Sequence, residues 1–278
     1  MCRNCDMLTE GDTWYKDPRQ YSNRMYKLRE PGNRPQESSG TIGRPAGDTL
    51  DDAINAKAVG DLAKHDRIIA DINQRTAMRP GSQVIPLFDM MNITDMGTPM
   101  AAMMCICRKQ TRACEECSLS EYTGIGIGTG MYKYERWPER YSGGLEWLTP
   151  KQAKEFLEYW DRKGMMHAVM QEGGDFIGGI CNCDYPDCLL IRNRVDYGLT
   201  TQLIKSEYVF FVDYDKCNGC GDCMGRCHFN ALKFEATTEK ASIDQFSCFG
   251  CGLCDTACPR QAIYHRDRKK LPGLANVW

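Results

Sequence analysis

The chain contains the stretch Cys217-Asn-Gly-Cys220-Gly-Asp-Cys223-Met-Gly-Arg-Cys227, and a second stretch follows as Cys248-Phe-Gly-Cys251-Gly-Leu-Cys254-Asp-Thr-Ala-Cys258. Both stretches space their cysteines as C-x2-C-x2-C-x3-C. Two residues between ligands allow one tight loop to aim successive thiolates at different irons of a cube. Glycines inside both loops supply the positive φ angles and the close backbone approach that such a loop needs. The doubled pattern therefore predicts two [4Fe-4S] clusters.

The fourth cysteine of each run lies one helical step beyond the other three. We therefore expect this cysteine to bind the cluster of the other run. One predicted cluster is bound by Cys217, Cys220, Cys223 and Cys258. The other is bound by Cys248, Cys251, Cys254 and Cys227. Zinc ribbons would instead need C-x2-C pairs separated by a longer gap, and the cysteine triplets argue against them.

Residues 208–266, which contain both runs, resemble the bacterial-type two-cluster ferredoxin domain. The resemblance implies a ferredoxin-like fold and single-electron transfer. One position departs from the family pattern: His228 stands where a proline usually follows the fourth cysteine, whereas Pro259 keeps that proline in the second run. We expect His228 to be a partly exposed replacement for a turn proline.

A second set of cysteines precedes this segment, as Cys105-x-Cys107, Cys114-x2-Cys117, Cys181-Asn-Cys183 and Cys188. Seven cysteines in two compact groups are hard to explain as small buried hydrophobes. Thiolate is the ligand that iron–sulfur clusters and zinc both select, so the set predicts a third metal centre, a [4Fe-4S] cluster with zinc as the alternative. The predicted ligands are Cys107, Cys117, Cys181 and Cys183, with Cys105, Cys114 and Cys188 as alternates.

Residues 82–266 also resemble large ferredoxin-fused iron–sulfur proteins of anaerobes. The C-x-C-R and C-N-C groups carry the resemblance, together with a helix that ends here in Gly164-Met-Met-His167. That family has no settled common activity, and its second cysteine group is usually denser than the one here. We expect His167 to be a core histidine rather than a ligand.

The predicted fold class is α+β: an extended N-terminal arm, a cysteine-rich α+β domain and a C-terminal two-cluster ferredoxin-like domain. The predicted divisions are an arm and linker over 1–48, a helical segment over 49–81, a cysteine-rich metal-binding domain over 82–207, the ferredoxin domain over 208–266 and a docking tail over 267–278. Trp14, Tyr15, Tyr21, Arg24, Tyr26 and Trp278 are of the residue types that anchor interfaces. We therefore expect the arm and the tail to contact another protein.

Local patterns predict several elements. One helix is expected to begin at Asp48 or Thr49 and to run to Arg79-Pro-Gly81, and another should begin at Thr149-Pro150. A short helix is expected over 95–104 and a loop over 124–130. Strands are expected at 84–88, 208–212, 232–235 and 241–244.

The net charge of −2 gives no electrostatic case for binding nucleic acid or an anionic membrane. No apolar run approaches the length of a membrane span, and the first residues, Met1-Cys2-Arg3-Asn4-Cys5-Asp6, do not form an export signal. The 17 cysteines then point to metal ligation in a reducing cytoplasm, in an anaerobic host.

These observations predict an iron–sulfur electron-transfer subunit of a larger anaerobic oxidoreductase, with other protein subunits as its partners. Nothing in the sequence supplies a hydride-binding fold or an acid–base constellation, so a non-catalytic subunit is favoured over an enzyme. Two alternatives remain open: an accessory redox protein that activates or matures a metalloenzyme, and an enzyme whose extra cluster binds substrate.

Overall fold

The computed structural model describes residues 5–6, 9, 11–21, 48–77, 81–111, 122–136, 144–171 and 177–278. Helices and strands are mixed along this length, so the protein is α+β, with a ferredoxin-like domain at its C-terminal end. Every statement below concerns these residues.

The first two helices form a hairpin, α1 over Leu50–Ala58 and α2 over Leu62–Thr76. Thr49 caps α1 as predicted: its hydroxyl accepts from the Asp52 backbone N–H, while the Asp52 carboxylate accepts from the Thr49 backbone N–H. The prediction of one continuous helix is wrong. Gly60, with φ of +83°, turns the chain between the two helices.

The next part of the chain forms a seven-stranded sheet in the order β4-β2-β3-β6-β5-β1-β7. All neighbouring strands are antiparallel except β1 and β7, which are parallel. The strands are β1 (Ser82–Ile85), β2 (Met100–Met104), β3 (Tyr122–Ile127), β4 (Leu145–Leu148), β5 (Met166–Gln171), β6 (Ile177–Cys183) and β7 (Leu203–Ile204). The helices between them are α3 (Leu87–Met96), α4 (Ile106–Thr111), α5 (Tyr132–Arg136), α6 (Pro150–Arg162) and α7 (Leu189–Val195).

Two local predictions in this region are wrong. Residues 100–104 form β2, and the helix lies earlier in the chain as α3, because Met100, Ala101 and Ala102 are buried between β3 and β4. The glycine-rich stretch that was expected to be a loop contributes to β3 near the middle of the sheet. The Met131 side chain packs directly over Gly126, which leaves no room for a Cβ atom at that position.

The two faces of the sheet are covered by different parts of the chain, because neighbouring residues of a strand point to opposite faces. Ile85 and Val169 pack with α3 and α6, whereas Val84 and Ala168 pack with α7 and with the C-terminal domain. Helix α6 begins as predicted, with a Thr149 cap and proline in its first turn.

The C-terminal domain contains two small antiparallel sheets. Strand β8 (Tyr208–Val212) pairs with β11 (Ile263–Asp267), and β9 (Leu232–Glu235) pairs with β10 (Lys240–Ile243). A short helix, α8 (Leu253–Thr256), lies between β10 and β11. The strands predicted at 208–212 and 232–235 are confirmed, and the third is shifted by one residue.

The prediction that the arm and the tail anchor on another protein is wrong for the aromatic residues that the structure describes. Trp14, Tyr15 and Tyr21 are fully buried in the core beneath α3 and α6, and Trp278 packs against the same core. The Tyr15 hydroxyl donates to Asp89 at 2.9 Å. The arm therefore contributes to this chain's own core, while Arg24 and Tyr26 lie outside the described residues.

Candidate metal centres

The first candidate centre is a small cavity inside the C-terminal domain. Cys217, Cys220, Cys223 and Cys258 line it together. Three of these cysteines come from the first run and one from the end of the second. Gly219 and Gly221, with φ of +74° and +81°, turn the loop so that its cysteines face the cavity.

The second candidate centre is a small cavity that is lined by Cys227, Cys248, Cys251 and Cys254. Here the first run supplies the single cysteine. Gly250 and Gly252 repeat the positive φ angles, at +71° and +82°. Both cavities thus collect the four cysteines of one predicted cluster, including the distal ligand from the other run.

Backbone amides point at the sulfurs in both halves. The Ala231 N–H donates to the Cys227 sulfur, and the Ala262 N–H donates to the Cys258 sulfur, each at 3.3 Å. Burial raises the pKa of the Cys223 thiol to about 11 and raises that of Cys251 further. Thiols that resist deprotonation in this way need a bound cation to become thiolates. The residues fit a [4Fe-4S] cluster in each cavity.

The two cavities differ in exposure. Cys220, at the first cavity, is exposed, whereas Cys248 and Cys251, at the second, are buried. The second cavity lies on the side of the domain that packs against the seven-stranded sheet.

The structure also draws together five of the seven cysteines proposed for a third centre. Cys105 and Cys107 contact each other, Cys183 contacts both Cys181 and Cys188, and electrostatic coupling joins Cys188 to Cys105 and Cys107. The Cys107 thiol lowers the pKa of Cys105 to about 6 by hydrogen bonding to its thiolate. Cys114 and Cys117 lie outside the described residues.

Arg108 holds the two halves of this five-cysteine group together. Its guanidinium lies 2.7 Å from the Asp184 carboxylate and 3.4 Å from that of Asp187. Arg108 directly follows Cys107, and the two aspartates lie between Cys183 and Cys188, so the ion pairs bridge the cysteine motifs themselves. The side chain is buried, where a broken ion pair would be costly. Sequence reasoning had assigned no role to this arginine.

In the described part of the chain, no three His, Cys, Asp or Glu side chains converge on a point at single-ion distances.

A stacked aromatic pair lines the second cavity. The Phe229 and Phe249 rings stack with centroids 3.9 Å apart. The same apolar cluster contains Cys183 and Cys188 of the five-cysteine group and Cys251 of the second cavity. The two cysteine sites therefore share one apolar cluster.

His228 has more contacts than sequence analysis predicted. One ring nitrogen lies 2.7 Å from the Gly164 carbonyl oxygen, and the other faces the Tyr185 backbone N–H at 3.4 Å. Nearby, Arg226 donates to the Arg162 carbonyl at 2.9 Å, at the C-terminal end of α6. The absence of a proline at position 228 was the sequence signal for these contacts. The His228 ring connects the C-terminal domain to Gly164, just beyond the end of α6, and to the loop after β6.

His167 is fully buried, as expected for a core histidine. One ring nitrogen lies 2.6 Å from the Asn182 amide oxygen and the other 3.4 Å from an Asp161 carboxylate oxygen. Cys5 is also buried, and its thiol donates to the Glu207 carboxylate at 3.1 Å. Cys2 lies outside the described residues.

Comparison with known families identifies the C-terminal domain. Residues 212–269 match the family described as the 4Fe-4S dicluster domain. The chain carries a dicluster domain. The spacing of its eight cysteines had predicted this domain, and the match confirms it.

Curated relatives share similarity over a short region. The chain is 37% identical over 55 residues to indolepyruvate oxidoreductase subunit IorA of Thermococcus kodakarensis, and 35% identical over 55 residues to the IorA subunit of Pyrococcus abyssi. Each alignment covers 20% of this chain and only 8% of the relative's length. The similarity supports an iron–sulfur domain of the kind found in oxidoreductase subunits. None of the helices that the structure describes is long and apolar enough to cross a membrane.

Proposed function

We propose that this chain is an electron-transfer subunit of a larger anaerobic oxidoreductase. The observation that carries the proposal is the arrangement of two cavities, each lined by three cysteines of one run and the fourth cysteine of the other. Four thiolate ligands leave no open coordination position at a [4Fe-4S] cluster, and such a cluster supplies single-electron transfer when bound. The short similarity to IorA subunits agrees with this role.

The ligand assignment follows the cavities. Cys217, Cys220, Cys223 and Cys258 hold the first cluster. Cys227, Cys248, Cys251 and Cys254 hold the second. The amides of Ala231 and Ala262 stabilise negative charge on the two distal sulfurs.

The five-cysteine group is part of the same proposal, as a third iron–sulfur centre. Cys105, Cys107, Cys181, Cys183 and Cys188 supply more than enough thiolates, and Cys114 and Cys117 add two more candidates. Arg108 offsets their charge, and its ion pairs with Asp184 and Asp187 hold the two motifs in contact. Zinc is the alternative occupant, because thiolate is a ligand that zinc and iron–sulfur clusters both select.

The proposed route follows the exposure of the sites. The first cavity lies beside the exposed Cys220 and is the side at which a partner exchanges electrons. The second cavity is lined by the Phe229–Phe249 pair, and these rings belong to the same apolar cluster as Cys183 and Cys188 of the five-cysteine group. Electrons are proposed to pass between the two sites at this cluster.

Other subunits of the redox complex are the proposed partners. We further propose a cytoplasmic location, because 17 cysteines that serve mainly as ligands need a reducing compartment.

Anaerobic purification of the full chain from its own host tests the proposal. We expect a second protein to co-purify in fixed stoichiometry, and the clusters, followed by their EPR signals, to be reduced or oxidised when the substrate of that protein is added. A lone chain with intact clusters would favour the accessory or maturation role. Turnover of a small molecule by the isolated chain would overturn the proposal in favour of an enzyme.

A further inference from the structure

Three basic side chains lie beside Cys248 or Phe249, two residues that line the second cavity of the dicluster domain: Arg194, Lys205 and Arg268. Lys205 is 4% exposed, Arg268 is fully buried and Arg194 is half-buried. The charged groups of Lys205 and Arg194 lie 5.2 Å and 5.4 Å from the centre of the Phe249 ring, which follows Cys248 directly. Three positive charges are thus gathered at one side of one cysteine site.

The hydrogen-bond partners of Lys205 and Arg268 are neutral backbone carbonyls. Arg268 donates to the carbonyl oxygens of Ser206, Tyr208, Cys248 and Val277. Lys205 donates to the carbonyl of Phe246, whereas Arg194 donates to the carbonyl of Thr200 and to the terminal oxygen of Trp278. Within the described residues, no Asp or Glu side chain forms an ion pair with any of the three cations.

Buried cations without a counter-charge are costly, because burial favours the neutral form and neighbouring cations repel. Burial lowers the pKa of Lys205 to about 8, and the charges of Arg268 and Arg194 act in the same direction. The Cys248 thiolate opposes this shift most strongly, because its negative charge raises the pKa of Lys205. The same charge raises the pKa of Arg268. Arg268 also donates to the Cys248 carbonyl, so this positive charge lies beside a cysteine of the second cavity.

The acidic groups nearby offset this charge only in part. Asp244 acts on Lys205 but is exposed, where water screens its charge. Glu207 acts on Arg268 but is also paired with Lys269 at 3.5 Å. Asp161 acts on Cys251 and has His167 at 3.4 Å. Asp255 is half-buried, and burial raises the pKa of its carboxyl group.

A [4Fe-4S] cluster held by four thiolates carries net negative charge and gains more of it on reduction. We propose that Arg194, Lys205 and Arg268 are the counter-charge of the cluster held by Cys227, Cys248, Cys251 and Cys254, and that they raise its reduction potential. The inference rests on the proposed cluster ligation, and it names the residues that make this cluster the better electron acceptor. Cations near a cluster stabilise its reduced state because that state has the larger negative charge.

The other half of the domain provides a matched control. Lys240 donates to the Tyr214 carbonyl in the loop before Cys217, much as Lys205 donates to the Phe246 carbonyl in the loop before Cys248. Lys240, however, forms this bond at the solvent-exposed surface. Water and salt screen an exposed charge, so Lys240 should have little influence on the first cluster.

The experiment is an EPR-monitored redox titration of the full chain with its clusters loaded, in the wild type and in Lys205→Met, Lys205→Arg and Lys240→Met. Iron and sulfide content are measured for each variant first. We expect Lys205→Met to lower the midpoint potential of one cluster only. Lys205→Arg should restore the wild-type value, and Lys240→Met should cause a smaller shift that disappears at high salt. If Lys205→Met loses a cluster, Lys205→Gln, which keeps a hydrogen-bond donor, is titrated in its place.

Unchanged potentials in both Lys205→Met and Lys205→Gln would overturn the inference, as would equal shifts of both clusters. These outcomes are distinct from failure of the proposed function. The titration uses the isolated chain and needs no partner, and a chain without two clusters would be recognised at the iron analysis.

Discussion

The two cysteine cavities of the dicluster domain are near copies in ligand pattern and differ sharply in surroundings. The first lies beneath a loop with an exposed cysteine, Cys220. The second is lined by Phe229 and Phe249, which pack with residues of the seven-stranded sheet of the same chain. Cysteine spacing thus defines which metal group a site suits, whereas the neighbouring side chains tune its role. In the proposed function, the first site exchanges electrons with a partner and the second transfers them inside the chain.

The largest effect should come from exchanging a distal ligand. Cys258→Ala is expected to remove about four irons per chain and to affect the cluster built on Cys217. Cys227→Ala should affect the cluster built on Cys248. Iron analysis with EPR of the reduced chain measures both variants. Loss of the cluster nearest in sequence in each variant would contradict the crossed arrangement.

Removing an aromatic ring beside the second cavity should have the next largest effect. Phe249 is 7% exposed and stacked on Phe229, so Phe249→Ala should lower the free energy of unfolding by about 3–5 kcal/mol. Phe234, at the first cavity, is 47% exposed. Phe234→Ala should cost far less, and anaerobic denaturant titration compares the two. Equal losses would show that the two halves are packed alike.

Making the first cysteine run resemble the second at position 228 tests the contacts of the His228 ring. His228→Pro restores the residue type of Pro259 and removes the contacts to Gly164 and Tyr185. We expect the free energy of unfolding to fall by about 1–3 kcal/mol, as for two hydrogen bonds, with iron content unchanged. Hydrogen exchange at the Tyr185 amide should become faster. If that amide exchanges as in the wild type, His228 does not join the domains.

The smallest expected difference is kinetic. An iron chelator should remove the first cluster faster than the second, because Cys220 is exposed while Cys248 and Cys251 are buried. The distinct potentials of the two clusters identify which signal disappears first. Simultaneous loss of both signals would contradict the difference in exposure.

The dicluster domain could be predicted closely from sequence because its cysteine spacing constrains the backbone directly. Strand β8 and the pairing of β9 with β10 agree with that prediction. The seven-stranded sheet was harder to predict: Met100–Met104 has good helix formers, yet the residues form a strand because β3 and β4 flank them. Tertiary contacts overrode local propensity there.

The candidate sites likewise combine features that the sequence predicts with features that only tertiary contacts create. Five of the seven predicted third-centre cysteines approach one another, but neither the Arg108 ion pairs nor the two cations at the Phe249 ring follow any local pattern. Arg268 lies far in sequence from Arg194 and Lys205 and comes near Cys248 only through the fold. Trp14 and Tyr15 were assigned to a partner because a polar arm cannot form a core alone, yet they complete a core that other elements supply.

The most direct test of the account is the amount of iron, acid-labile sulfide and zinc in the full chain purified anaerobically. Two clusters in the dicluster domain and a third in the five-cysteine group predict about twelve irons and about twelve sulfides per chain, with no zinc. About eight irons without zinc would remove the third centre and leave the dicluster domain intact. Zinc in place of iron at the eight cysteines would contradict the central claim.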